Sequence, residues 1–204
     1  DDQWLAPHFE KMLYDNALLI DLLTEVWRES HNPLYAVRVR ETVEWTLAEM
    51  TVEADGGAFA FASAFDADSE GEEGKYYVWS ADEIDSILGP DSAAFKDAYD
   101  VTPEGNWEGH VILNRTARPE LGDADHEAFL AGCRRRLLET RSRRIAPLRD
   151  DKVLADWNGL MIRALANAGA TFAEPRWLGA AESAFAFVRE RMSEDGRLRH
   201  SWRN

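Results

Sequence analysis

Cysteine is all but missing from this chain of 204 residues, since Cys133 stands alone. One thiol excludes an internal disulfide framework and any CxxC redox motif. Long apolar runs are missing as well, so no segment is suited to cross a bilayer as a helix. Positive charge is scarce beside negative, with 23 Lys and Arg against 38 Asp and Glu and a formal net charge of −15. Such a surface repels polyanions unless one face is strongly basic, so nucleic acid is not expected as a partner. Low-complexity linkers are lacking, which marks no internal domain boundary and points to a single domain over residues 1–204. The 45% of hydrophobic residues suffices for one sizeable core, or for part of a larger one. The lone cysteine and the want of a signal peptide in this sequence make a cytoplasmic setting the expectation. The chain opens abruptly at a motif and stops at Asn204 without a closing signal, so it reads as a fragment.

What is present is helical periodicity. The stretch from Trp4 to Trp27 predicts one long helix with Pro7 in its first turn, and Ala17 to Val26 is apolar enough for burial nearly all round. A second helix is expected from Pro33 to Met50, with Val39, Val43 and Leu47 on a buried face and charged residues on the others. Two such helices suggest an inner and an outer member of a hairpin. Phe59, Phe61 and Phe65, followed by Lys75-Tyr-Tyr-Val-Trp79, predict a small β-hairpin insertion. Ser80 and Glu83 form a capping box that opens a short helix ending at Gly89, and another is expected from Asp91 to Tyr99. Long helices follow at Asp123–Arg141 and Asp150–Phe172, with a last one carrying Trp177, Leu178, Ala181, Phe185, Val188 and Met192 on one stripe. The fold class is therefore mainly α, and stacked helical hairpins suit an α/α toroid.

Four polar clusters fall where helices begin or loops return. The first holds His8, Glu10, Tyr14, Asp15 and Asn16, a carboxylate–phenol–imidazole set fit for acid–base work or for gripping hydroxyls; on one helix, His8, Lys11 and Asp15 would share a face, as would Glu10 and Tyr14. The second is Asp66-Ala-Asp-Ser-Glu-Gly71, which matches the start of a calcium loop, although Tyr77 stands where a bidentate Glu belongs; a solvated acidic turn, or carboxylates of Asp66 and Asp68 aimed into a cleft beside the first cluster, fits better. The third, Gly105-Asn-Trp-Glu-Gly109, presents Asn106 and Trp107, suited either to stacking on a sugar ring or to packing against the chain's own core. The fourth, Asp150 to Gly159, offers Asp151, Lys152, Trp157 and Asn158, with the acidic pair also explicable by the helix dipole. Arg134, Arg135, Arg136, Arg141, Arg143, Arg144 and Arg149 form a basic patch that counterweights the acidic surface. His110 trails the third cluster.

These same residues carry a family resemblance. Pro7-His-Phe-Glu-Lys-Met-Leu-Tyr-Asp-Asn-Ala17, Asp66-Ala-Asp-Ser69, Glu73-Gly-Lys-Tyr-Tyr-Val-Trp79, Gly105-Asn106, Asp150-Asp-Lys-Val-Leu154 and Trp157-Asn-Gly159 together resemble the thioredoxin-domain-containing proteins related to spermatogenesis-associated protein 20. The resemblance implies a piece of an (α/α)6 toroid similar to N-acylglucosamine 2-epimerases and six-hairpin glycosidases. It also implies that the family's amino-terminal thioredoxin-like domain and the closing hairpins lie outside this chain, with that domain as a partner in the full-length protein.

The resulting expectation is a carbohydrate-binding or carbohydrate-processing domain. Glu10 or Asp68 would act as acid or base with His8 and Tyr14 beside them, and Asp15, Asn16, Asp66, Asn106, Trp107, Asp151, Lys152, Trp157 and Asn158 would bind the ligand. No metal and no cofactor are expected. The histidine pair used by sugar epimerases is not evident. The competing expectation is a non-catalytic module that serves a thioredoxin-like neighbour.

Overall fold

The computed structural model describes residues 5–55 and 57–203. Trp4, Gly56 and Asn204, on which parts of the expected first helix, the break after Ala54 and the terminal reading fall, lie outside those residues. In chain order the first elements are β1 (Lys11–Met12), α1 (Leu13–Ser30), α2 (Pro33–Glu49), β2 (Thr51–Glu53), β3 (Phe59–Phe61) and β4 (Ala64–Phe65). Then come β5 (Asp68–Ser69), β6 (Glu72–Glu73), α3 (Ala81–Leu88), α4 (Ser92–Ala98) and α5 (Ala124–Arg141). The last are β7 (Arg149–Asp150), β8 (Val153–Leu154), α6 (Ala155–Thr171), α7 (Pro175–Arg191), β9 (Ser193–Glu194), β10 (Arg197–Leu198) and β11 (Ser201–Trp202). The protein is mainly helical with small sheets. It packs as two compact units, one comprising the chain up to Phe9 with Ala67–Leu148, the other Glu10–Asp66 with the chain from Arg149 onward.

In the second unit α1 lies against α6, α2 packs on α1 and α7 packs on α6. The core draws Leu13, Ala17 and Ile20 from α1, Val39 and Val43 from α2, Met161, Ala164, Leu165 and Ala168 from α6, and Trp177, Ala181 and Ala184 from α7. Small residues let the last two helices approach closely: a Cβ on Gly169 would meet Leu178 at 2.9 Å. Pro33 sits at the start of α2, where Asn32 caps the helix by accepting from the Leu34 N–H. On the outer side Arg176 makes a bidentate pair with Glu44 at 3.0 and 2.7 Å, and Trp177 Nε1 donates to the same carboxylate. The Arg176 hydrogen bond, outweighing burial, holds Glu44 below the usual carboxylate range.

Helix α1 departs from expectation at both its start and its faces. It begins at Leu13 rather than at Pro7, because Lys11 and Met12 are spent on strand pairing with Phe65 and Ala64. It is also not buried all round: Leu13, Ala17, Ile20 and Thr24 are buried, whereas Leu18, Leu19 and Leu22 are 52%, 50% and 58% exposed.

In the first unit α3 and α5 enclose Trp79, Ile84, Leu88, Phe95, Leu130, Cys133 and Leu137. The Ser80–Glu83 capping box is present with both bonds, and Asp123 caps α5 through the His126 N–H. A smaller core gathers Phe9, Ala67 and Val78 with Tyr77 and Trp107. The expected hairpin takes a different form. Phe59–Phe61 pairs with Thr51–Glu53 in the second unit, β5 pairs with β6 in the first, and Trp79 makes only a bridge to Val111. Tyr76 and Tyr77 lie in a turn, stabilised by Arg144, whose Nη1 donates to the Tyr76 and Val78 carbonyls at 3.0 and 2.7 Å. The same guanidinium lies 4.1 Å over the Trp79 ring.

Candidate functional site

The second unit joins three stretches far apart in sequence. Strand β4 pairs on one side with β1, Met12 opposite Ala64, and on the other with β7, Ala64 opposite Asp150. Each strand is two residues long, so none is stable alone, and the three hold one another. Ser63 extends the join: its carbonyl accepts from the Leu13 N–H at 2.9 Å, and its own N–H donates to the Asp150 carbonyl at 3.1 Å. Segments from the first and fourth polar clusters, joined by the two residues just ahead of the second, thus converge on a single small sheet.

One end of that sheet carries Tyr14, a residue past Leu13, and Asp151, a residue past Asp150. The Tyr14 ring meets the Trp157 indole edge-on, with centroids 4.8 Å apart and 65° between planes. Both rings are half-buried, whereas Asp15 is exposed. Asn16 donates to the Met12 carbonyl at 2.8 Å, closing the helix start that lacks a side-chain cap. Asp150 is bonded by Lys152 Nζ at 3.1 Å and by Arg203 at 3.2 Å, and Arg203 Nε reaches Asp151 at 3.1 Å. Burial alone would raise the Asp150 carboxyl, but bonds from Lys152 and Ser63 prevail and hold it below the ordinary value. At the other end of the sheet, the β1–β4 register continued by one residue sets Glu10 beside Asp66, and both side chains are exposed.

Asn158 is fully buried, and its amide is spent on backbone. It accepts from the Phe61 N–H at 2.9 Å and donates to the Phe61 and Leu154 carbonyls, each at 3.0 Å. The residue pins β3 to α6.

The remaining residues of interest belong to the first unit. His8 is exposed ahead of Phe9. Asp68 stands opposite Glu73 in the β5–β6 hairpin, whose two-residue turn places Glu70 at φ 56° and Gly71 at φ 79°. That tight turn, flanked by strands, explains the partial likeness to a calcium loop, since an acidic run ending in Gly serves both. Among the described residues no group of three or more His, Cys, Asp or Glu side chains is arranged to hold a metal ion. Asn106 accepts from the Ile112 N–H at 2.8 Å and donates to its carbonyl at 2.9 Å, closing the loop on itself. Trp107 packs on Phe9 with centroids 5.3 Å apart. Asn106 is therefore engaged in holding its own loop, and Trp107 in the small core around Phe9.

The predicted residues fall into two sets. Glu10, Tyr14, Asp15, Asn16, Asp66, Asp151, Lys152, Trp157 and Asn158 stand in the second unit; His8, Asp68, Asn106 and Trp107 stand in the first. The helical face shared by His8, Lys11 and Asp15 does not exist, because only Asp15 of the three is in a helix. Sequence reasoning missed Arg203 and Ser63, which hold Asp150 and Asp151 through tertiary pairing alone.

The fold is that of a mainly helical protein whose small sheets tie distant segments together. No protein-family profile matches the chain. Its sequence is homologous over nearly its whole length to part of spermatogenesis-associated protein 20. The Homo sapiens protein of that name is 30% identical over 97% of this chain, and the Mus musculus protein 28% identical over 98%. The chain spans 29% of the length of each of these relatives. Among solved structures, a D-mannose isomerase matches 95% of this chain and 45% of its own at 12% identity and a TM-score of 0.29, a likeness too slight to carry an argument. Among the described residues no helix is long and apolar enough to cross a membrane.

Proposed function

We propose that the second unit carries a carbohydrate-binding surface centred on Trp157 and Tyr14. The observation that carries the reading is the edge-on Tyr14–Trp157 pair, with the segment bearing Asp151 and Lys152 leaving the small sheet at the end where α1 begins. A half-buried indole offers a flat apolar face to the C–H side of a sugar ring, while a phenol, a carboxylate and an ammonium beside it bond hydroxyls. Trp157 stacks on the ring, and Tyr14, Asp151 and Lys152 fix its orientation. The pairing of α1 with α2 and of α6 with α7, with α1 against α6, supports reading these helices as two adjacent hairpins of an (α/α)6 toroid.

Calorimetric titration with D-mannose, D-glucose, N-acetylglucosamine and a disaccharide tests the reading. At least one should bind, and Trp157→Ala should weaken it about tenfold, near 1.4 kcal/mol. Because Trp157 also touches the core, Tyr14→Phe and Asp151→Asn serve as companions and should weaken the same sugar without shifting the melting temperature. Absence of binding heat with every sugar contradicts the proposal and favours a non-catalytic module that serves a neighbouring domain.

A further inference from the structure

The first unit contains a cavity of about 470 Å3 between the β5–β6 hairpin, the Lys75–Val78 turn and the chain leaving α5. Its apolar wall is Tyr76, Val78 and Ile145. All three carboxylates of its lining are already engaged. Glu70 and Glu72 lie 3.4 and 3.5 Å from Lys75, and Glu83 accepts from the Ser80 N–H and from Arg144. Arg144 is occupied in turn by backbone carbonyls and the Trp79 face. Three polar groups of the lining are left over, the Arg143 guanidinium, the His110 imidazole and the Tyr76 hydroxyl, none of which has a side-chain hydrogen-bond partner among the described residues. All three are donors.

The backbone that carries His110 and Arg143 is held by its own hydrogen bonds. The His110 backbone is bonded from three sides, to the Asn106 and Trp107 N–H groups and the Trp107 carbonyl, at 2.8, 3.0 and 2.8 Å. Glu108 and Gly109 form its turn with φ of 49° and 78°. Gly105, at φ 74°, is required there, because a Cβ would meet the His110 carbonyl oxygen at 2.4 Å. Arg143 follows directly on the C-terminus of α5, its N–H donating to the Thr140 carbonyl. In a chain of net charge −15, a hollow whose uncommitted polar groups among the described residues are a cation, an imidazole and a phenol favours negative charge, and its aromatic wall favours an apolar body.

We infer that this cavity binds a small amphipathic anion, a molecule bearing one carboxylate or phosphate group on an apolar body, with Arg143 and His110 contacting the anionic group and Tyr76 the body. The residues of this cavity all belong to the first unit, and the inference does not rest on the sugar-binding reading.

The test follows the His110 imidazole resonances of the intact chain by NMR during titration with benzoate, phenyl phosphate, inorganic phosphate and benzyl alcohol. Benzoate or phenyl phosphate should give a saturable shift, and the stronger of the two identifies the anionic group as carboxylate or phosphate. Inorganic phosphate should bind at least tenfold more weakly than the better aryl anion, and benzyl alcohol should give no saturation. Arg143→Ala, at an exposed position, should weaken the aryl anion at least tenfold while leaving the melting temperature unchanged. Lack of a saturable shift with either aryl anion overturns the inference, as does undiminished binding in an Arg143→Ala/His110→Ala variant. Equal binding of inorganic phosphate reduces the site to an adventitious ion only and likewise overturns it.

Discussion

Asn158 takes both backbone groups of Phe61 into its amide, so its loss would strand a buried N–H and a buried carbonyl together. Each stranded group costs about 1–3 kcal/mol, and Asn158→Leu should lower stability by about 2–5 kcal/mol in urea denaturation. A change under 0.5 kcal/mol would show that the amide is dispensable. Glu127 makes the complementary case in the first unit. Burial would raise its carboxyl, but the Gly122 N–H and the Arg115 guanidinium, 2.9 Å away, win and hold it below the usual range. A depressed folded pKa gives stability that is complete above the unfolded value and lost as pH falls through the folded one. The urea midpoint should therefore decline from about pH 5 downward, and the decline should be shallower in Glu127→Gln. Cys133 is buried against Leu130 and Leu137, and burial pushes its thiol up. Native protein should react with a thiol reagent only at the rate of opening, and fast labelling without denaturant would contradict the packing described. At this scale the sequence revealed chemistry but not commitment: Asn106 and Asn158 have the amides a ligand would want, and only tertiary contacts disclose that backbone already holds them.

Among the elements, those with long periods were legible and those built from two residues were not. Helices α2 and α5 follow their apolar stripes and the Ser80 capping box sits where residue type put it, whereas α7 turns another face inward: Trp177, Ala180, Ala181, Ala184 and Phe187 are buried, and Phe185 of the expected stripe is 54% exposed. The start of α1 was misread because Pro7 and a polar–apolar mixture mimic a first helical turn, while pairing with β4 depends on residues more than fifty positions away. Strands β1, β4 and β7 are too short to alternate, so no pattern along the chain announces them. Hydrogen exchange checks the sheet directly. The Leu13 and Ser63 amides, bonded across it, should exchange as slowly as the α6 interior, and exchange at loop rates would dissolve the arrangement. The two faces of α1 make a second comparison. Ile20→Ala should cost about 2–5 kcal/mol, whereas Leu22→Glu, at a site 58% exposed, should stay within about 0.5 kcal/mol. Equal losses would mean that the leucine face is packed after all.

On the scale of the whole molecule, composition and motif order conveyed the mainly helical class and the kinship with spermatogenesis-associated protein 20, while the division into two compact units was invisible. The reason is physical: the unit of residues 67–148 interrupts the other without a linker of distinctive composition, so no shift in sequence marks its edges. The excess of acidic residues is likewise a whole-chain property, against which Arg143, without a side-chain partner among the described residues, and the engaged Arg144 and Arg203 are local exceptions. The account stands or falls on whether the aromatic pair of the second unit meets a sugar. In a two-dimensional NMR titration of the intact chain with the saccharide giving the largest calorimetric heat, the Trp157 indole and the Asp151 and Lys152 amides should shift together with one saturation curve. Shifts confined to other residues, or no saturable shift at the Trp157 indole, would contradict it.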